Sequence, residues 1–179
     1  MINPDITAII ARQEQAMIAF RRDLHAHPEL PWEEKRTTDR VAAELEAIGI
    51  PYRRTHPTGI IADIIGGKPG KTVALRADMD ALPVRELNDP LDYKSQTPGK
   101  MHACGHDAHT AMLLTAAHAL YDVRDQRTGT YTLIVQTKVL GVGACNDQLL
   151  MHCGERAQAF GIFFQTTGEA LVGKVKQRQ

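Results

Sequence analysis

The chain has no long apolar run. None of its stretches approaches the roughly 18 consecutive apolar residues of a membrane span, so no membrane partner is expected. Charge of neither sign is in excess, since Lys plus Arg and Asp plus Glu each number 21. That balance removes the basic footprint that a nucleic-acid or polybasic membrane surface needs, and no nucleic-acid partner is expected. The N-terminus lacks a basic region followed by an apolar core, and acidic Asp5 and Glu14 stand where a targeting signal would carry neither. The three cysteines, Cys104, Cys145 and Cys153, make no framework of pairs, which points to a reducing, cytoplasmic setting. Internal repeats and low-complexity tracts are missing as well.

What remains is ordinary globular composition. The 179 residues are 43% hydrophobic and 23% charged, enough for one domain with a real core. Asn3 and Pro4 suit the start of a helix. Ile6, Ile10, Gln13, Met17, Phe20 and Leu24 then follow at spacings of three and four, a buried stripe that ends at His27-Pro28. A second helix is predicted over 33–48, with Val41, Leu45 and Ile48 turned inward and Gly49 as a left-handed stop. Residues 59–65 and 71–77 read as strands, and the turn-rich break between them predicts a hairpin. The polar stretch 83–99, with Pro90 and Pro98, reads as a surface loop. A helix over 109–120 and a strand over 130–136 follow. Past Gln136 the pattern weakens to a short helical stretch at 147–151 and a strand at 159–164. The alternation of helices and strands predicts an α/β class with a mixed central sheet flanked by helices.

Two polar segments interrupt this pattern. His102, Cys104, His106 and His109 fall within one short span around Gly105. In extended backbone Cys104 and His106 would point the same way, and a thiolate with an imidazole makes a good ligand pair for Zn²⁺ and similar cations. His109 and Asp107 would then form an outer shell that orients the rings. The same residues could equally be surface and helix-cap groups, and two ligands alone do not make a tight site. The second segment is Arg76-Ala-Asp-Met-Asp80. Asp78 and Asp80 would share one side if the strand continued, either as a supporting shell or ligands, or as solvated carboxylates closing an edge strand.

Taken in order, Leu75-Arg-Ala-Asp-Met-Asp-Ala-Leu-Pro83 and Met101-His-Ala-Cys-Gly-His-Asp-Ala-His109 resemble the signature segments of the M20 amidohydrolases. The branch they resemble contains hippurate hydrolases, N-acyl-amino-acid amidohydrolases and plant auxin-conjugate hydrolases. The likeness extends through His27-Pro-Glu-Leu30 and Glu34-Lys-Arg-Thr37, and covers roughly residues 20–136. It implies a zinc-peptidase-like catalytic domain, here its N-terminal part, with the lid or dimerisation domain and the C-terminal half absent. It also implies a divalent metal, Zn or Mn, and an N-acyl amino acid substrate. Cys104 would match the metal-bridging thiolate and His106 a terminal ligand. Asp78, Asp80 and His109 would form the supporting shell.

The chain departs from the family pattern after Gln136. The family continues Gln-Pro-Ala-Glu-Glu, where the first Glu is the general base and the second a ligand, whereas Gln136 here is followed by Thr137, Lys138, Val139 and Leu140. A further ligand histidine is replaced in Phe160-Gly-Ile-Phe163, and a last one would lie beyond residue 179. No catalytic residue is therefore assigned, and the expectation is an inactive chain with weak metal binding. The competing expectation is a non-catalytic protein that self-associates or binds a partner through exposed apolar surface. Family-like residues return at 159–163, a pattern that compensating frameshifts would leave and that the coding DNA can test.

Overall fold

The computed structural model describes residues 4–137, and in that span the element order follows the apolar periodicity closely. Helix α1 runs Pro4–Ala26, α2 Lys35–Ile48 and α3 His106–Asp122. The strands are β1 Tyr52–Arg54, β2 Ile60–Ile65, β3 Lys68–Asp78 and β4 Thr128–Gln136. The helix expected at 147–151 and the strand expected at 159–164 lie outside the described residues.

Phe20 and Leu24 of α1 are buried as the stripe requires, but Ile10 is 41% exposed and its neighbour Ile9 is buried instead. The inward face shifts by one residue because Ile6 and Ile9 pack against Ala119 and Val123 at the far end of α3. Helix α2 stops where predicted: Gly49 has φ 87, and its N–H reaches back to the Leu45 and Glu46 carbonyls. Its start is two residues later than predicted, since Glu34 points into the interior rather than capping the helix. The free amides of the first turn are met instead by Glu29, whose carboxylate accepts from Arg36 N at 3.0 Å and Thr37 N at 2.7 Å. That contact gives the His27-Pro-Glu-Leu30 segment a structural purpose.

The sheet is mixed, in the order β1-β2-β4-β3. Strand β4 pairs antiparallel with β2 and parallel with β3, so the hairpin predicted between β2 and β3 does not form. The glycines that suggested a tight turn serve a crossing. Gly66 N donates to Gly129 O at 2.8 Å and Gly67 N to Arg124 O at 2.9 Å, as the chain passes over the entry to β4. A Cβ on Gly67 would sit 2.3 Å from Asp125 O, so no side chain fits at that crossing. Strand β3, helix α3 and strand β4 thus make a βαβ unit, which places the C-terminal ends of two parallel strands side by side.

One face of the sheet carries Ile60, Ala62 and Ile64 of β2 and Leu133 and Val135 of β4, all buried. The alternation follows from the two-residue period of a strand. Against that face pack Leu24 of α1, Val41 and Leu45 of α2, and Leu114 and Ala117 of α3. Each fully buried aliphatic side chain contributes about 2 kcal/mol. The expected α/β class with a mixed sheet is the observed one. No helix among the described residues is long and apolar enough to cross a membrane.

Candidate active site at the strand ends

Open α/β sheets bind ligands beyond the carboxyl ends of their parallel strands. At that edge β3 ends in Asp78, β4 ends in Gln136 with Thr137 just after it, and α3 begins at His106. The extended arrangement predicted for Cys104 and His106 is not what forms. Residues 103 and 104 make a turn, Gly105 adopts φ 79, and His106 is the first residue of α3. The left-handed glycine lets the chain reverse directly into the helix, with Ala108 N and His109 N both donating to Gly105 O.

The buried His106 ring meets the second acidic segment. Its Nδ1 lies 2.8 Å from Asp80 O and 3.2 Å from Asp80 Oδ1. A carbonyl oxygen can only accept, so Nδ1 carries the proton and Nε2 is the atom left to bind a cation. Nε2 is 4.0 Å from Asp78 Oδ2. Burial opposes protonation of this ring, but the Asp80 hydrogen bond and charge, with Asp78 adding, outweigh it and raise the pKa. A site that favours positive charge on His106 favours a cation there too. Asp78 itself ends β3 and is partly exposed, while Asp80 lies past the strand and is buried. Arg76 holds Asp78 through Nη2 at 2.9 Å and donates to Thr137 O at 3.1 Å, joining the ends of β3 and β4.

Cys104 is a free, half-buried thiol, and His109 stacks obliquely on His106 with ring centroids 5.6 Å apart. The structure therefore brings His106, Asp80 and Asp78 together, with His109 one helical turn behind. Among the described residues no three His, Cys, Asp or Glu side chains converge closely enough to hold a metal ion. The donor chemistry of His106 and Cys104 suits a divalent cation, but these residues supply part of a coordination shell.

Two further polar groups adjoin these residues, and of their members only His102 and Asp107 stand out in the sequence as site candidates. Glu34 is fully buried behind the end of β4, accepting from Thr58 Oγ1 at 2.8 Å and from the Thr137 hydroxyl. Burial pushes its pKa up, and the hydroxyl partners only partly offset that. The second group is a buried cluster behind the Cys104–His106 turn. His25 of α1 lies between Asp107 (Nδ1 to Oδ2, 2.8 Å) and Glu86 (Nε2 to Oε1, 3.1 Å). Arg21 Nε adds an ion pair to Asp107 at 2.7 Å. The Asp107 hydrogen bond raises the His25 pKa against the cost of burial, and Glu86 helps. For Asp107, burial alone would raise the pKa, but His25, His102 and Arg21 bring it below the usual carboxylate range. Beside them His102 is 3% exposed with no hydrogen-bond partner at either nitrogen among the described residues, and burial pushes its pKa down to about 4.

Comparison with known proteins agrees with this geometry. Residues 74–138 match the family model for peptidase family M20/M25/M40. The chain is 42% identical over 137 residues to an N-acyl-L-amino acid amidohydrolase of Geobacillus stearothermophilus, covering 76% of this chain and 37% of that protein. It is 38% identical over 164 residues to IAA-amino acid hydrolase ILR1-like 4 of Arabidopsis thaliana, covering 91% of this chain and 37% of that one. Among solved structures, a candidate aminohydrolase from methicillin-resistant Staphylococcus aureus superposes with a TM-score of 0.72 at 42% identity, covering 76% of this chain and 35% of that one. The YXEP protein of Bacillus subtilis, described as a dinuclear metal-binding peptidase, gives 0.66 at 41% identity, with coverages of 73% and 36%. The chain spans about a third of the length of the curated relatives it matches.

Proposed function

Because the chain belongs to peptidase family M20/M25/M40, we propose that its site is that of a metal-dependent hydrolase of N-acyl amino acid amide bonds, holding a divalent cation without completing the reaction by itself. The observation that carries the reading is His106, whose Nδ1 is fixed on Asp80 so that Nε2 is presented at the strand ends beside Asp78. Cys104 thiolate and His106 Nε2 would hold the cation, and sulfur with imidazole favours zinc, with manganese the alternative. When bound, such an ion supplies a Lewis acid that polarises an amide carbonyl.

The chain's own residues orient rather than transfer protons. Asp80 fixes the His106 ring. Arg76 keeps Asp78 in place at the end of β3 and ties it to Thr137. A general base must reach the proton it takes. Glu34 cannot serve, because it is buried and engaged by Thr58 and Thr137. Past Gln136 the next carboxylate in the sequence is Asp147. Relatives act on N-acyl amino acids or auxin conjugates by their names, and the same amide class is the substrate proposed here.

The test uses the full chain with added Zn²⁺ or Mn²⁺. Metal should bind in proportion to protein, weaken in Cys104→Ala and His106→Ala, and leave hydrolysis of N-acetyl and N-benzoyl amino acids at the level of those variants. Metal-dependent hydrolysis abolished by Cys104→Ala would show a complete enzyme, and absence of metal binding would remove the proposed site. A second reading, self-association, draws on β3, a sheet edge among the described residues that carries Val73 at 41% exposure. Sedimentation showing a monomer at high concentration would dispose of it.

A further inference from the structure

The buried cluster behind the Cys104–His106 turn has no part in the chemistry proposed above, yet three distant parts of the chain build it. His25 comes from the last turn of α1, Glu86 from the polar loop after β3, and Asp107 from the first turn of α3. All three are nearly inaccessible, at 4%, 3% and 0% exposure. A neutral imidazole donates from one nitrogen only. His25 faces a carboxylate oxygen at each nitrogen, so both contacts are hydrogen bonds only when both nitrogens carry protons.

The groups facing it support that state. Arg21, on the same helix, is the one cation close by among the described residues; it pairs with Asp107, and its Nη2 lies 3.4 Å from His25 Nδ1, longer than the 2.8 Å contact that Nδ1 makes with Asp107. From the loop come Glu86 and the Tyr93 ring, nearly perpendicular to that of His25 at 5.6 Å between centroids. From the α3 side come Asp107 and the ring of His102, at 6.3 Å. Two carboxylates against one guanidinium leave room for a second positive charge.

The consequence is mechanical. Glu86 also accepts from Ser95 N at 2.7 Å and Asn88 Nδ2 at 3.3 Å, so it holds the loop closed on itself. Gln96 N donates to Ala26 O and fastens the same loop to the end of α1. Asp107 directly follows His106. Whatever fixes Asp107 fixes the turn from which Cys104 and His106 project.

We propose that His25 is a positioning residue for the Cys104–His106 donor pair: by bridging Glu86 and Asp107 it locks α1 and the 83–100 loop against the first turn of α3 and thereby sets how tightly that pair holds a divalent cation. The part concerning the cation rests on the metal-site reading above. The positioning itself does not.

The test uses the full chain with Cys145→Ser and Cys153→Ser, so that Cys104 is the sole thiol. Cobalt(II), followed by its thiolate charge-transfer band, reports the donor pair. Alkylation of Cys104 by iodoacetamide in chelator reports the turn without metal. His25→Gln should weaken cobalt binding about 10- to 100-fold, the range typical of lost outer-shell partners. It should also speed alkylation several-fold while circular dichroism stays that of the parent. Glu86→Gln, which keeps a neutral hydrogen bond, should move both readouts in the same direction by less, and it serves if His25→Gln does not fold. Nitrogen NMR of the parent should show both His25 ring nitrogens protonated at neutral pH.

Cobalt affinity and alkylation rate both within about two-fold of the parent would overturn the proposal. So would lowered stability with unchanged affinity per folded molecule, or a neutral His25 ring. If the parent itself gives no thiolate band, the metal-site reading fails and alkylation decides alone: faster in His25→Gln upholds the positioning role, unchanged refutes it.

Discussion

Acidification from pH 7 to pH 5 should remove the stability that one ring, His102, contributes, whereas His25 and His106, whose pKa values are raised, act in the opposite direction. Unfolded, that imidazole takes up a proton near its ordinary 6.5; folded, it stays neutral until about 4, because it is buried and, among the described residues, has no partner at either nitrogen. Between those values the unfolded chain binds the extra proton, so His102's contribution is fully present above pH 6.5 and drains away as the pH falls toward 4. The displacement is worth about 3 kcal/mol once both states are protonated, and about 2 kcal/mol of that is gone by pH 5. Urea unfolding at the two pH values, in chelator throughout, measures the loss. The companion variant is His102→Leu, of similar volume and unable to titrate. Its loss between pH 7 and pH 5 should be smaller than the parent's by about 2 kcal/mol. At pH 7 it should be close to neutral, since it removes a buried polar group whose hydrogen bonds are not made. Equal losses in parent and variant would refute the argument, because the other titrating groups are common to both.

Three further outcomes test the fold. Gly129 (φ +82) and Gly99 (φ +75) share a left-handed backbone, but a Cβ on Gly129 would meet Lys71 O at 2.0 Å while one on Gly99 meets nothing within 4 Å among the described residues. Gly99→Ala should cost about 1–2 kcal/mol and Gly129→Ala at least about 2 kcal/mol more, and equal losses in urea melts would contradict the crossing. Glu29→Ala should remove about 1 kcal/mol by uncapping α2, with Glu29→Gln recovering part of it; a neutral Glu29→Ala would mean the cap is idle. In α1, thermal melts should show Ile9→Ala costing about 2 kcal/mol or more and Ile10→Ala under about 1 kcal/mol; the reverse order would restore the stripe predicted from sequence.

Local order was readable in this sequence, and non-local order was not. The C-terminal end of α2 and, to within two residues, the spans of β2 and β4 follow from apolar period and stop residues, which act over a few positions. The strand order does not, because β4 lies at the far side of α3 from both of its partners and no nearby residue announces it. Gly66 and Gly67 misled for the same reason: a close crossing and a tight turn demand the same residue. At the site, Cys104, His106, Asp78 and Asp80 stood out because their segments are short and contiguous. The backbone between Cys104 and His106 is not extended, as residue alternation alone suggests, because the left-handed Gly105 starts the helix three residues earlier than the apolar pattern does. His25 and Glu86 carry no local signal in the sequence. Their meaning depends on contacts spanning 82 and 61 residues, and in sequence each is a single polar residue among others.

The placing of β4 between β2 and β3 also governs the order in which the molecule can be assembled. During synthesis β3 leaves the ribosome long before β4 exists, and its own neighbour in sequence, β2, is never its partner. Helices α1 and α2 and the β1–β2 pair can form early from local contacts. The sheet cannot close until residues 128–136 arrive and slide between two strands already made. Until then Ile60 and Ile64 on one side of the gap and Leu75 on the other lack the strand that joins them, an interval in which a chaperone, or another nascent copy, can compete for the vacant position.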